Sequence, residues 1–171
     1  DELGRRCVTD LLTGVEERVY PIGRLDRNSE GLLLFTNDGE LANRIMHPAS
    51  HINKVYRVTV RPDITDEQAA ELSAGVKIGE NTTTLPATVL ILEKQPGRVV
   101  LQITISEGKN RQIRRMCEAV GLEVVRLKRI AVGPIKLGML QPGHWRDLKP
   151  AELIALRGAI TKAGGSGEGK K

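Results

Sequence analysis

The chain has 171 residues, 40% of them hydrophobic and 27% charged, and a net charge of +5. That length suits one sizeable core or two small subdomains, and the composition excludes a disordered, fibrous or membrane-spanning chain. Two cysteines and three histidines at no metal-ligand spacing exclude a disulfide framework and a structural metal site, and fit a reducing, cytoplasmic setting.

Gly4 to Leu12 reads as a basic lead-in and a first helix turn through Val8, Leu11 and Leu12. No secretory pattern opens the chain, and Asp1 in place of Met reads as the start of a fragment. Arg18-Val19-Tyr20 is extended into Pro21, because the residue before a proline is pushed out of helical geometry. Arg24, Asp26, Arg27 and Glu30 then crowd one loop. The apolar run Leu32-Leu33-Leu34-Phe35 follows, bounded by Gly31 and Asn37-Asp38-Gly39, and predicts a strand buried on both faces. The charged loop is thus tethered to a core element.

Asp38 predicts the cap of a helix over 40–46, stopped by Pro48; His47 reads as a C-terminal capping or surface residue. Asn53 to Arg61 alternates as a strand, with Tyr56, Val58 and Val60 on one face. Thr65 starts a helix that Gly75 closes. Residues 84–93 and 98–106 are strands joined by Lys94-Gln95-Pro96-Gly97, the second burying Val99, Leu101, Ile103 and Ile105. Residues 110–120 form a helix ended by Gly121, with Ile113, Met116, Cys117 and Val120 on one arc. Arg111 and Arg115 point away from that arc, while Arg114 flanks it and can turn inward. Residues 122–132 form a strand, 137–148 a turn-rich segment with Trp145, and a last helix runs from Pro150 to about Lys162. The elements predict an α+β fold around a mixed, mostly antiparallel sheet with flanking helices.

The positive charge is concentrated. Between Glu107 and Arg129 seven basic residues face three acidic ones, an excess expected of a phosphate-binding surface. Aromatic residues are scarce: Tyr20, Phe35, Tyr56 and Trp145 are the whole set, so a platform of many stacked rings is excluded.

Gly23-Arg24-Leu25-Asp26, followed by Ser29 to Leu34 and by Thr36-Asn37-Asp38-Gly39, resembles the nucleophile motif of ribosomal pseudouridine synthases of the RsuA/RluB type. Lys54-Val55-Tyr56 and Glu107 to Arg114 resemble their second and third motifs, and Arg126-Leu127 resembles the apolar wall beneath the base. The likeness covers roughly residues 2 to 150. It implies a pseudouridine synthase-like fold with the catalytic cleft across the sheet. It implies Asp26 as nucleophile, Tyr56 packing on the flipped base, Arg114 paired with Asp26, and Leu127 lining the pocket. Arg24 is then substrate-binding, and Lys109, Arg111, Arg115, Lys128 and Arg129 form one phosphate-contacting surface. The implied reaction turns uridine into pseudouridine in ribosomal RNA, with a stem-loop of large-subunit 23S RNA favoured by residues 127–148, and needs no metal or organic cofactor. Residues 1–162 would be the catalytic domain, acting as a monomer away from membranes, with a disordered tail at 163–171. The S4-type RNA-binding domain usual in this group has no counterpart in the sequence.

The chemistry is consistent with those roles. A carboxylate can attack and then leave without a cofactor, and a nearby arginine keeps it ionised where water is excluded. A ring offsets the cost of taking a base out of its stack. Two other classes compete. A non-catalytic RNA-binding or ribosome-assembly module explains the basic stretch but does not require Asp26. A glycoside-type hydrolase would use Asp26 and Glu30 as a carboxylate pair.

Overall fold

A computed structural model describes residue 12 and residues 14–164. The first expected helix turn, Leu12 excepted, and the tail from residue 165 lie outside the described residues. Ten strands and four α-helices are described. In chain order they are β1 (Tyr20–Ile22), β2 (Glu30–Gly31), β3 (Leu34–Thr36), α1 (Gly39–Met46), β4 (Lys54–Arg61), α2 (Asp66–Ala74), β5 (Lys77–Gly79), β6 (Thr82–Thr83), β7 (Thr88–Gln95), β8 (Arg98–Ile105), α3 (Gln112–Ala119), β9 (Glu123–Val132), β10 (Ile135–Lys136) and α4 (Pro150–Gly164). A single 3-10 turn, Pro48–Ser50, follows α1.

The main sheet has the order β10-β9-β4-β8-β7, all antiparallel, with β2 added to β9 in parallel. This is the expected α+β architecture with a mixed, mostly antiparallel sheet. Alternation explains the core: Val58 and Val60 of β4 and Val99, Leu101 and Ile103 of β8 are fully buried on one face. Helix α3 adds Ile113, Met116 and Cys117, and α2 adds Leu72. Each such side chain stabilises the fold by about 1.5–3 kcal/mol relative to exposure. A second cluster joins Ile22, Leu32, Leu34, Leu41, Ile45, Ile52, Ile135 and Leu156.

Local signals hold where they are strong. The Asp38 carboxylate accepts from the N–H groups of Glu40 and Leu41. Thr65 and Gln68 form a full capping box. Four expectations are corrected. The apolar run after Gly31 is not one strand buried on both faces. Leu32 and Leu34 point into the second cluster, Leu33 and Phe35 are half-buried on the other side, and only Leu34–Thr36 pairs, with β1. The strand expected over 84–93 begins at Thr88, because the chain before it is bound to other elements through Thr84 and Ala87. Helix α3 begins at Gln112, not Asn110, because Arg111 sits in left-handed geometry at φ 49°. Helix α4, expected to end at about Lys162 before a disordered tail over 163–171, continues to Gly164. No described helix is long and apolar enough to cross a membrane.

Candidate active site

Asp26 stands at the start of a tight turn, closed by the Ser29 N–H donating to the Asp26 carbonyl at 2.9 Å. Two features fix this turn. After it, β2 pairs with β9 (Glu30 with Lys128, Gly31 with Arg129), and the Leu32 N–H donates to the Arg129 carbonyl at 2.8 Å. Gly31 must be glycine here: its φ is +117°, and a Cβ would overlap the Arg129 backbone. Beneath it, Arg114 of α3 donates from Nη2 to the Asn28 carbonyl at 2.6 Å.

The turn overhangs a cleft of about 750 Å³. Across the cleft stand Tyr56 and Lys54 of β4 and Leu127 and Arg129 of β9; Arg24, Lys109 and Arg111 complete its basic rim. Tyr56 lies between Ile103 of β8 and Arg129 of β9, half-buried at the margin of the main core. Arg129 is only 6% exposed and donates from Nε to the Leu32 carbonyl at 3.0 Å. Sequence positions from 24 to 129 thus converge on one cavity. Among the described residues no group of three or more His, Cys, Asp or Glu side chains is placed to hold a metal.

The expected ion pair between Asp26 and Arg114 is not formed. Arg114 does turn inward, at 9% exposure, as its flank position predicts. Its guanidinium reaches the turn's backbone at Asn28 instead of the carboxylate, and its Nε is buried with no partner, as is the Ser29 hydroxyl. A helical wheel gives direction, but a turn offers several acceptors, and the nearest was a carbonyl.

The five cations expected on one surface also divide. Lys109, Arg111 and Arg129 line the cleft. Lys128 lines a second groove of about 1000 Å³ beside Trp145 and Phe35. Consecutive strand residues face opposite sides, so Lys128 and Arg129 could not share a surface. Arg115 donates to the Ile78 carbonyl at 2.7 Å and the Asn110 carbonyl at 3.2 Å, serving the packing of α3 on β5. Glu30 forms a fork with Arg126 and also lines the second groove, so it makes no carboxylate pair with Asp26.

Two cleft residues carried no assignment in the sequence reading. Lys54 lies in the cleft, where its ammonium donates to the Glu107 carbonyl at 3.5 Å. Burial, and then the Arg129 charge, pull its pKa below the ordinary lysine value, against the opposing pull of Glu107. Its signal was the period of two: residue 54 shares a face with Tyr56. Glu107 anchors the loop before α3. Burial works against its charge, but hydrogen bonds from Lys109, the Leu85 N–H and Gln112 prevail and hold its pKa below the usual carboxylate range. Those partners come from distant positions, and nothing local announces them.

A model of the RNA pseudouridylate synthase family matches residues 5–119. The chain belongs to this family. It is 44% identical over 158 residues to ribosomal large subunit pseudouridine synthase B of Bacillus subtilis (strain 168), covering 92% of the chain and 65% of that protein. It is 43% identical over 157 residues to an RNA pseudouridine synthase of Aquifex aeolicus (strain VF5), covering 92% of the chain and 63% of the relative. It therefore spans less than two thirds of the length of these relatives. A solved pseudouridylate synthase shares the fold at a TM-score of 0.75 and 34% identity, over 81% of this chain and 59% of that one. The family match takes in the Asp26 turn, β4 and α3, three of the elements that meet at the cleft.

Proposed function

We propose that this chain is the catalytic part of a ribosomal RNA pseudouridine synthase that isomerises a uridine in a 23S RNA stem-loop. The observation that carries the reading is the meeting of Asp26 and Tyr56 across one cation-rimmed cleft. The large-subunit assignment is supported by the name of the Bacillus subtilis relative. The enzyme acts in the cytoplasm as a monomer, with residues 1–162 as its catalytic domain.

Lys109, Arg111 and Arg24 hold the backbone phosphates at the rim, and the target base flips into the cleft. Tyr56 packs on the base, over the apolar floor at Leu127. The Asp26 carboxylate attacks as the C1′–N1 bond breaks and leaves as C1′ joins C5. The C5 proton is lost and N1 gains one, so the atoms balance without an oxidant or reductant. Arg114 acts by positioning: its bond to the Asn28 carbonyl sets the angle at which the turn presents Asp26. Lys54 and Arg129 bring positive charge to the base as electron density shifts across it.

The test is pseudouridine formation on 23S and 16S RNA fragments by the parent chain and Asp26→Asn. Formation on 23S fragments by the parent alone is the expected result. RNA binding without isomerisation by the parent would favour a non-catalytic module.

A further inference from the structure

The rim of the cleft carries two large exposed apolar side chains, Met46 at 47% and Leu85 at 40% exposure. Met46 is engaged, its sulfur accepting from the Gly23 N–H at 3.1 Å. Leu85 belongs to neither buried cluster. Its backbone is nonetheless firmly held. Its N–H donates to Glu107 Oε2 at 2.6 Å. On one side, Thr84 exchanges two hydrogen bonds with Val76, through its N–H and its hydroxyl oxygen. On the other, Pro86 has a fixed φ, and the Ala87 N–H donates to the Ser73 carbonyl at 2.9 Å. The other oxygen of Glu107 holds the Lys109 ammonium. One part-buried carboxylate therefore suspends an apolar side chain and a cation side by side on the same rim.

An exposed apolar side chain on a rigid support, lining a cation-rimmed cleft, is placed to meet an apolar surface there. A flipped base provides one. Its departure leaves a gap between the neighbouring bases, and a gap left open forfeits their stacking contacts. Proteins that distort nucleic acids fill such gaps with leucine, isoleucine, methionine or phenylalanine wedges. We propose that Leu85 is the wedge that enters the RNA stack at the position vacated by the target uridine, while Lys109 takes an adjacent phosphate. This rests on the reading of the Asp26 cleft as a base-flipping site. Leu85 touches no reacting atom; it is a positioning residue that holds the flipped state open.

The experiment uses short 23S RNA stem-loops in two forms. One carries 2-aminopurine on the 3′ side of the target uridine, where loss of stacking brightens its fluorescence. The other carries an abasic site there, so little stack remains to be broken. With the 2-aminopurine RNA, the parent should brighten the probe on binding. Leu85→Ala should lose most of that brightening and about tenfold in turnover at saturating RNA. Leu85→Met should keep both. On the abasic RNA, Leu85→Ala should stay within about twofold of the parent, because the stacking cost is already gone. Parental behaviour of Leu85→Ala on the stacked RNA overturns the proposal. So does an equal loss on both RNAs, which would mean that Leu85 only shapes the cleft. Failure of the underlying reading looks different, since the parent then makes no pseudouridine on any RNA. The fluorescence needs no turnover and still decides: brightening lost in Leu85→Ala sustains the wedge, and its absence with the parent overturns it.

Discussion

The two hydrophobic clusters meet at the cleft, and they are built differently. Around β4, β8 and α3 the cluster is sealed, with Val58, Val60, Val99, Leu101, Ile103, Met116 and Cys117 at 0% exposure. Long antiparallel ladders hold it. Around β1, β3, α1 and α4 the strands are three residues long and the cluster keeps small exposures, 7% at both Leu32 and Leu34. Tyr56, Lys54 and Leu127 belong to the ladders. Asp26 hangs from the second region, bolted to the first through β2, through Leu32 and Arg129, and through Arg114. One wall of the site is thus rigid because it is core. The other is held by a few specific hydrogen bonds, and its position is the easier to change.

Substitutions can separate the two walls. The largest effect is expected at Asp26. Asp26→Asn should lower turnover more than about a thousandfold, as loss of a nucleophile does, with the thermal midpoint unchanged. Parental turnover on rRNA fragments would end the assignment of Asp26. Next is the rigid wall. Leu101→Ala should destabilise the chain by about 2–5 kcal/mol in urea denaturation, and Leu34→Ala by an amount at the lower end of that range. Equal costs at both positions would erase the contrast between the clusters.

Arg114→Met should leave the ladders intact but free the turn. Amide exchange at residues 27–29 should rise, and turnover should fall about tenfold or more, because a small displacement of a reacting group is costly. A fall in turnover with unchanged exchange would mean that Arg114 acts on substrate and not through the turn. Lys54→Met should slow turnover about tenfold, the worth of one charge-assisted contact, yet raise the thermal midpoint at neutral pH. The sign follows from its lowered pKa: the folded state disfavours the ammonium that the unfolded chain carries freely. A lower midpoint would show the ammonium to be well paired.

The smallest effect concerns Glu107. Its folded pKa lies below the ordinary 4.5, so its stabilisation is present above that value and is lost as the pH falls through the folded one. The midpoint difference between the parent and Glu107→Gln should therefore shrink below about pH 4.5 in thermal melts. A difference that does not change with pH would mean that hydrogen bonding alone, without the charge, ties down the loop.

The sequence by itself determined the elements whose causes are local. Asp38 and Thr65 announced their helices because a cap is satisfied within three residues. The period of two in β4 put Tyr56 on the face of Val58 and Val60, because pleating leaves no other choice of face. The motif around Asp26 was legible as a string of residues, and so was the inward turn of Arg114. What tertiary structure decided is which group each side chain meets. Arg114 found the Asn28 carbonyl across 86 positions of chain. Glu107 gathered Leu85, Lys109 and Gln112, and the cluster of basic residues was split between two grooves by the alternation of β9. Periodicity fixes the direction of a side chain relative to its own backbone. The nearest acceptor or phosphate-facing surface depends on how separate segments close together, and that is set by the packing of the whole core.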